Sequence, residues 1–139
     1  SKLQDYPEKD AKAAIQLQQI FYRMTKYFIE NFNTANFLTE ALYHSKAASY
    51  FTNYRVQHFI FVRTLIEQAQ REGDICSDMN SYEIYTTLQS ILTQPIIIKN
   101  NILQQHKNEP LMDKLKLIDV SSESSLQKRL RVAFKGLRP

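Results

Sequence analysis

A chain of 139 residues with 43% hydrophobic residues is long enough for one domain with a real core. Two Gly leave little scope for Gly-rich phosphate loops or an all-β fold of tight turns, and one Cys excludes an internal disulfide. The net charge of +4 is mild and much of the basic excess lies in the last twelve residues, so charge by itself does not point to nucleic acid.

In chain order, Asp5-Tyr6-Pro7-Glu8 reads as a helix start, with Asp5 as cap, Pro7 in the first turn and Glu8 completing the cap. Ala14, Leu17, Phe21, Met24, Phe28 and Phe32 then recur at helical spacing, widened by Ile20 and Tyr27, with Lys12, Gln16, Gln19, Arg23, Lys26 and Glu30 opposite. Asn31 to Thr34 supplies a stop and the next cap, and a shorter helix carries Phe37, Leu38, Ala41 and Leu42. Between Ser45 and Asn53 the pattern weakens, leaving helix or bend open. From Tyr54 to Glu72 a helix returns with Phe51, Tyr54, His58, Phe61, Leu65 and Ala69 on one stripe and Phe59, Val62 and Ile66 beside it, an arc wide enough to predict a central helix.

Gly73 suits the residue after a helix end, and Asn80 with Glu83 forms a capping-box pattern, so a helical hairpin is predicted across the polar link 73–80. The helix after Asn80 shows Ile84, Tyr85, Leu88, Ile91 and Leu92, then Pro95, where a kink or break belongs because Pro offers no N–H to the Ile91 carbonyl. Ile96-Ile97-Ile98 is read as helix up to His106, for want of a partner strand. Leu111 to Val120 is either a further helical turn or irregular. Ser121 to Ser125 is expected to be a flexible loop that caps the last helix, whose stripe is Leu126, Leu130, Ala133, Phe134 and Leu137, with Lys128, Arg129, Arg131 and Lys135 in water. The fold class predicted is all-α, an antiparallel bundle of about five to six helices.

Sixteen aromatics without Trp imply either a bulky core or an aromatic-lined cavity. Stripe position and polar tips single out Tyr22, Tyr27, Phe28, Phe51, Tyr54, His58, Phe61, Tyr85 and Gln89 as candidate cavity residues. His58, a polar ring on an apolar stripe, must find a partner or titrate; bonding to a Tyr or a carbonyl competes with contact to a ligand. No pair of His has helix-face spacing for a metal, and Cys76 between Asp74 and Asp78 reads as a helix link. Ser residues lack a Gly-bracketed turn, so no catalytic residue, metal or cofactor is expected. The basic run Lys128-Arg129-Leu130-Arg131 shares a helix with the apolar stripe and reads as its solvated face.

The helix with Tyr22, Tyr27 and Phe28, the segment ending Glu72-Gly73-Asp74-Ile75, the stretch Asp78 to Leu92 and the closing Phe134-Lys135-Gly136-Leu137-Arg138-Pro139 follow one another in an informative order. This order resembles the C-terminal effector-binding and dimerisation domain of tetracycline-repressor (TetR) family transcriptional regulators, over nearly the whole chain. The resemblance implies that residues 1–139 are a single ligand-binding and dimerisation domain of a regulator, most simply a repressor, whose N-terminal helix-turn-helix domain is absent here; the opening Ser in place of Met agrees with a fragment. It further implies a homodimer through the helices 80–106 and 122–137, with Leu88, Leu92, Ile96, Leu126, Leu130 and Phe134 at the interface. A small apolar or aromatic effector would bias operator binding by the missing domain, DNA being touched only through it. No leader or membrane span is read, and a cytoplasmic home is expected. A helical protein–protein adaptor without a small-molecule ligand is the alternative.

Overall fold

The computed structural model describes residues 10–31, 45–106 and 109–139, with side chains 45–55 excepted. The Asp5 cap, the helix around Phe37 to Leu42, and the side chains of Phe51 and Tyr54 therefore lie outside the described residues. Among the described residues there are six helices and no strand: α1 (Ala13–Glu30), α2 (Ser45–Arg71), α3 (Ser81–Leu92), α4 (Gln94–Gln105), α5 (Leu111–Leu117) and α6 (Glu123–Gly136). The all-α expectation holds, and the weak stretch from Ser45 to Asn53 is continuous helix.

Four of the helices close into a ring, since α1 meets α2, α2 meets α3, α3 meets α6 and α6 meets α1. Their directions follow from hydrogen bonds at the ends. The Ala13 amide at the start of α1 donates to Glu72 Oε1 just past the end of α2, and the Cys76 amide in the α2–α3 link donates to the Leu137 carbonyl at the end of α6 at 2.7 Å. Neighbours are thus antiparallel. The interior is a single apolar cluster of Leu17, Ile20 and Phe21 from α1, Val62, Ile66 and Ala69 from α2, Ile84, Tyr85, Leu88 and Leu92 from α3, and Leu126, Leu130, Ala133 and Phe134 from α6, closed by Ile75 and Leu137. Among the described side chains of α2 the most buried are Val62, Ile66 and Ala69, while Phe61, predicted on the main stripe, is 44% exposed. The buried face of α2 is set by contact with both α1 and α3, and its direction lies to one side of the Phe61 row.

The hairpin link forms as its residue types require. Gly73 has φ +81, a left-handed conformation that costs Gly little. Its amide donates to the Gln70 carbonyl and the Asp74 amide to the Ala69 carbonyl, the paired 5→2 and 6→1 bonds of a Schellman motif. The Asn80 side chain accepts from the Glu83 amide at 2.9 Å and Glu83 Oε1 from the Asn80 amide at 3.1 Å, the reciprocal capping box. Between them, the Gln70 amide group donates to the carbonyls of Cys76 and Met79, stapling the link to α2.

Pro95 breaks the chain as predicted: α3 stops at Leu92, Thr93 is the shared cap, and Pro95 sits in the first turn of α4. The Ile96 amide turns back to the Thr93 carbonyl, so the Leu92 carbonyl lacks its usual partner. Arg129 Nη2 donates to it at 3.0 Å and Nη1 donates to Ser125 Oγ. The sequence pattern puts Arg129 in water; it is instead half-buried, because its guanidinium reaches over the α6 stripe to an orphaned carbonyl. Burial lowers its pKa, with Asp119 opposing.

Ser121 to Ser125 is not a loose loop. Ser122 caps α6 by accepting from the Ser125 amide, and residues from Glu123 on are already helical. Asp119 Oδ1 accepts from the amides of Ser121 and Ser122, and the Ser122 hydroxyl donates to Oδ2. These bonds hold the Asp119 carboxyl below its usual range.

The remaining helices, α4 and α5, pack chiefly on each other and on the end of α3, forming an arm beside the four-helix ring. Ile96 and Met112 are buried, yet neither belongs to the central cluster.

Candidate functional site

Of the nine candidate cavity residues, His58, Tyr85 and Gln89 come together. Tyr85 and Gln89 share a face of α3 one turn apart, and His58 approaches from α2 across the helical hairpin. Its Nδ1 lies 2.6 Å from the Tyr85 hydroxyl, and the Gln89 amide nitrogen donates to the same oxygen at 3.5 Å. Aromatic rings enclose this polar chain. Phe21 meets the His58 and Tyr85 rings edge-on at 6.2 Å, and Phe59 tilts against Tyr85 at 5.3 Å. The sequence pattern puts Phe21 and Phe59 on packing stripes, and the structure adds them to the wall of this cluster.

Burial pushes the His58 imidazole down to about 4, so the ring is neutral at physiological pH. Its Nε2 is buried and has no hydrogen-bond partner. A neutral imidazole with one nitrogen satisfied and one unmet is a donor or an acceptor in reserve.

The other candidates are used differently. The Tyr22 hydroxyl donates to Glu123 Oε1 at 2.7 Å, and Lys26 lies over the same ring at 5.6 Å, so its polar tip fastens α1 to the first turn of α6. That bond and the amide of Gln127 lower the Glu123 pKa. Tyr27 is 63% and Phe61 44% exposed, and neither belongs to the central cluster. Phe28 is half-buried.

All six candidate interface residues lie inside one chain. Leu88, Leu92, Leu126, Leu130 and Phe134 belong to the central cluster, and Ile96 is buried under the arm. The stripes of α3 and α6 are inner faces, because the ring is closed by α1 and α2 against them, while Ile96 is buried outside the central cluster. Any second copy would meet other surfaces, and a Leu130→Glu exchange would report on folding instead of pairing.

An open apolar surface lies on the arm. Pro95, Ile98 and Ile102 of α4 face Leu115, Ile118 and Val120 across an open groove of about 260 Å³. Lys99 at its edge donates to the carbonyls of Lys116 and Ile118, so its charge is already engaged in tying α4 to the end of α5. Leu117 is 85% and Ile118 54% exposed.

The sequence pattern does not single out Asp119 or Gln70, and it places Arg129 in water. Asp119, three residues before a Ser that starts a helix, carries a legible Asx-turn signal. Nothing local marks Arg129 or Gln70, whose partners are carbonyls freed by a break and a link elsewhere in the chain. Burial and the neighbouring Asp78 raise the Cys76 thiol, which disfavours the nucleophilic thiolate. Among the described residues no three His, Cys, Asp or Glu side chains converge for a metal, and no helix is long and apolar enough to cross a membrane.

Compared with family models, curated proteins and solved structures, the chain finds no match.

Proposed function

We propose that the chain is the effector-binding and dimerisation domain of a TetR-like transcriptional regulator, taking a small apolar or aromatic molecule and acting on DNA through a separate reading domain. The observation that carries this reading is the His58–Tyr85–Gln89 chain, a polar triad set between two helices and walled by Phe21 and Phe59. A core built only for stability gains little from a buried imidazole with an unmet nitrogen, since an unsatisfied polar group costs about 1–3 kcal/mol. A ligand site gains selectivity from the same group. Regulation then requires that the molecule bind one arrangement of the helices better than the other.

In this reading the second copy pairs through the arm. Ile98, Ile102 and Ile118 supply both ridge and groove on one surface, as a twofold interface demands, and Lys99 is already bonded within the chain. Sedimentation velocity tests it: a dimer at low micromolar concentration is expected, converted to a folded monomer by Ile98→Glu. A wild-type monomer throughout that range overturns it.

The same groove favours one other reading, a helical adaptor that lays a partner's amphipathic helix between α4 and α5. A wild-type monomer that nevertheless binds such a helix, with binding abolished by Ile98→Glu, selects the adaptor.

A further inference from the structure

The net charge of +4 is mild as a total, but it is unevenly placed. Residues 123–139 contain five Lys or Arg against the single Glu123, an excess of four that equals the charge of the whole chain and leaves residues 1–122 balanced. Arg129 is turned to the Leu92 carbonyl. The other four, Lys128, Arg131, Lys135 and Arg138, are exposed. At spacings of three, four and three they fall along one side of α6, and the Arg138 amide donates to the Lys135 carbonyl, so the turn carries on past the helix end. Among the described residues the ion pairs are Arg63–Glu67 and Lys116–Asp113, so no carboxylate pairs with this row. Glu123, at the start of α6, accepts from Tyr22 and Gln127.

The surroundings of the row select among polyanions. A helix that lies on a membrane sinks an apolar face between the headgroups. The apolar stripe of α6 is occupied in the core, and Val132, 63% exposed, is the one large apolar side chain the helix leaves outside. Protein partners are held mainly by aromatic and Arg anchors seated in pockets, and the one aromatic ring of α6, Phe134, is buried. A phosphate backbone needs neither. At about 1.5 Å per residue, Lys128 to Lys135 spans about 10 Å, the axial advance of about three phosphates on one strand of a duplex. We propose that the outer face of α6 is a sequence-independent docking surface for the phosphate backbone of duplex DNA, contacted by Lys128, Arg131, Lys135 and Arg138. Because α6 is held between α1 and α3, it meets a duplex as a ridge across the backbone and not as a reading helix in a groove. The inference does not depend on the effector-binding reading; within that reading, this face adds affinity for any DNA while the separate domain supplies sequence.

Fluorescence anisotropy of the full chain with labelled short DNA duplexes of unrelated sequence makes the test. Binding alike to each duplex is expected, with the logarithm of the association constant falling against the logarithm of salt at a slope of about −3.6, as four phosphate contacts require. Arg131→Gln should reduce that slope by about 1. The triple exchange Lys128→Gln, Arg131→Gln and Lys135→Gln should weaken binding at about 50 mM salt at least tenfold. A control triple, Arg71→Gln, Lys114→Gln and Lys116→Gln, removes the same charge from other exposed helices and should change binding less than about threefold. All six positions are exposed, so both triple variants keep the fold. Equal weakening by the two triples shows that net charge alone acts and overturns the proposal, as does the absence of duplex binding at about 50 mM salt or a marked preference for one sequence. Cosedimentation with phosphatidylserine vesicles that the first triple abolishes, without duplex binding, gives the face to a membrane surface and overturns it as well.

Discussion

The four-helix ring and the α4–α5 arm draw on the same residue types and use them in opposite ways. In the ring, every helix packs between two neighbours and turns its apolar stripe to the shared core, and side chains such as Leu17, Ile66, Leu88 and Leu126 are almost fully enclosed. Among the described residues, the two short helices of the arm pack chiefly on each other and on the end of α3, so Ile96 and Met112 find cover while Ile98, Leu111, Leu117 and Ile118 stay exposed. Three consecutive Ile cannot all be covered by one neighbouring helix, since successive helical positions point about 100° apart. Apolar sequence therefore measures stability only where the topology supplies enough faces to cover it; elsewhere it leaves surface for something else to cover.

The comparison breaks most sharply at Phe21. It is fully buried in the ring and edges against two rings of the polar triad, so Phe21→Ala should cost about 3–5 kcal/mol in urea unfolding. A loss under about 1 kcal/mol would mean that the ring is no better packed than the arm. The next effect is a pH dependence. His58 is held neutral in the fold at a pKa of about 4, against its ordinary value of 6.5, so the unfolded chain takes up a proton that the folded chain refuses. Stability contributed by this group is complete above about pH 6.5 and falls as pH drops toward 4, by at most about 1.4 kcal/mol per unit and about 3 kcal/mol in all. His58→Phe should remove that difference between pH 7 and pH 4, and parallel unfolding curves for the two proteins would show that the imidazole is not desolvated.

At the joint between the two regions, Arg129→Ala strips the Leu92 carbonyl of its donor and should cost about 1–3 kcal/mol, with Arg129→Lys recovering part. Hydrogen exchange sharpens the comparison here: the amides of α4 should lose protection before those of α1. If α1 and α4 exchange alike, ring and arm unfold as one unit. A smaller effect is expected in the hairpin link, where Asn80→Ala removes one half of the capping box and should cost about 1 kcal/mol by urea unfolding.

What the sequence made legible follows the range of the interactions. The Asn80–Glu83 box, the Gly73 turn, the Ser122 cap and the break at Pro95 each depend on residues within a turn of one another, and each forms as read. The stripe of α6 is equally legible as a periodic apolar face, but its neighbour is not: Leu130 and Phe134 face α1 and α3 of their own chain, and periodicity is the same whichever helix covers it. For the candidate site, His58 stands out as a polar ring on an apolar stripe, and its pairing with Tyr85 depends on the register of the α2–α3 hairpin. That register also decides that Phe59 faces Tyr85 while Phe61 faces outward, a choice between neighbours two positions apart that composition does not make. Arg129 shows the limit most plainly, because its burial is caused by a proline 34 positions away.

The smallest stability effect is expected on the arm, and it is the one that separates the two regions by purpose. Leu117 is 85% exposed, so replacing it by Ser removes almost no buried area, and the unfolding free energy should stay within about 0.5 kcal/mol of wild type. Ile98→Ser, at 51% exposure, should cost little more. On the proposed reading, in which a second copy covers this surface, each exchange should weaken self-association in sedimentation while leaving the melting of the monomer nearly unchanged. If instead Ile98→Ser lowers monomer stability as a core exchange does, the arm is part of the fold's own packing, and the distinction between a region that holds the chain together and a region that meets a partner disappears.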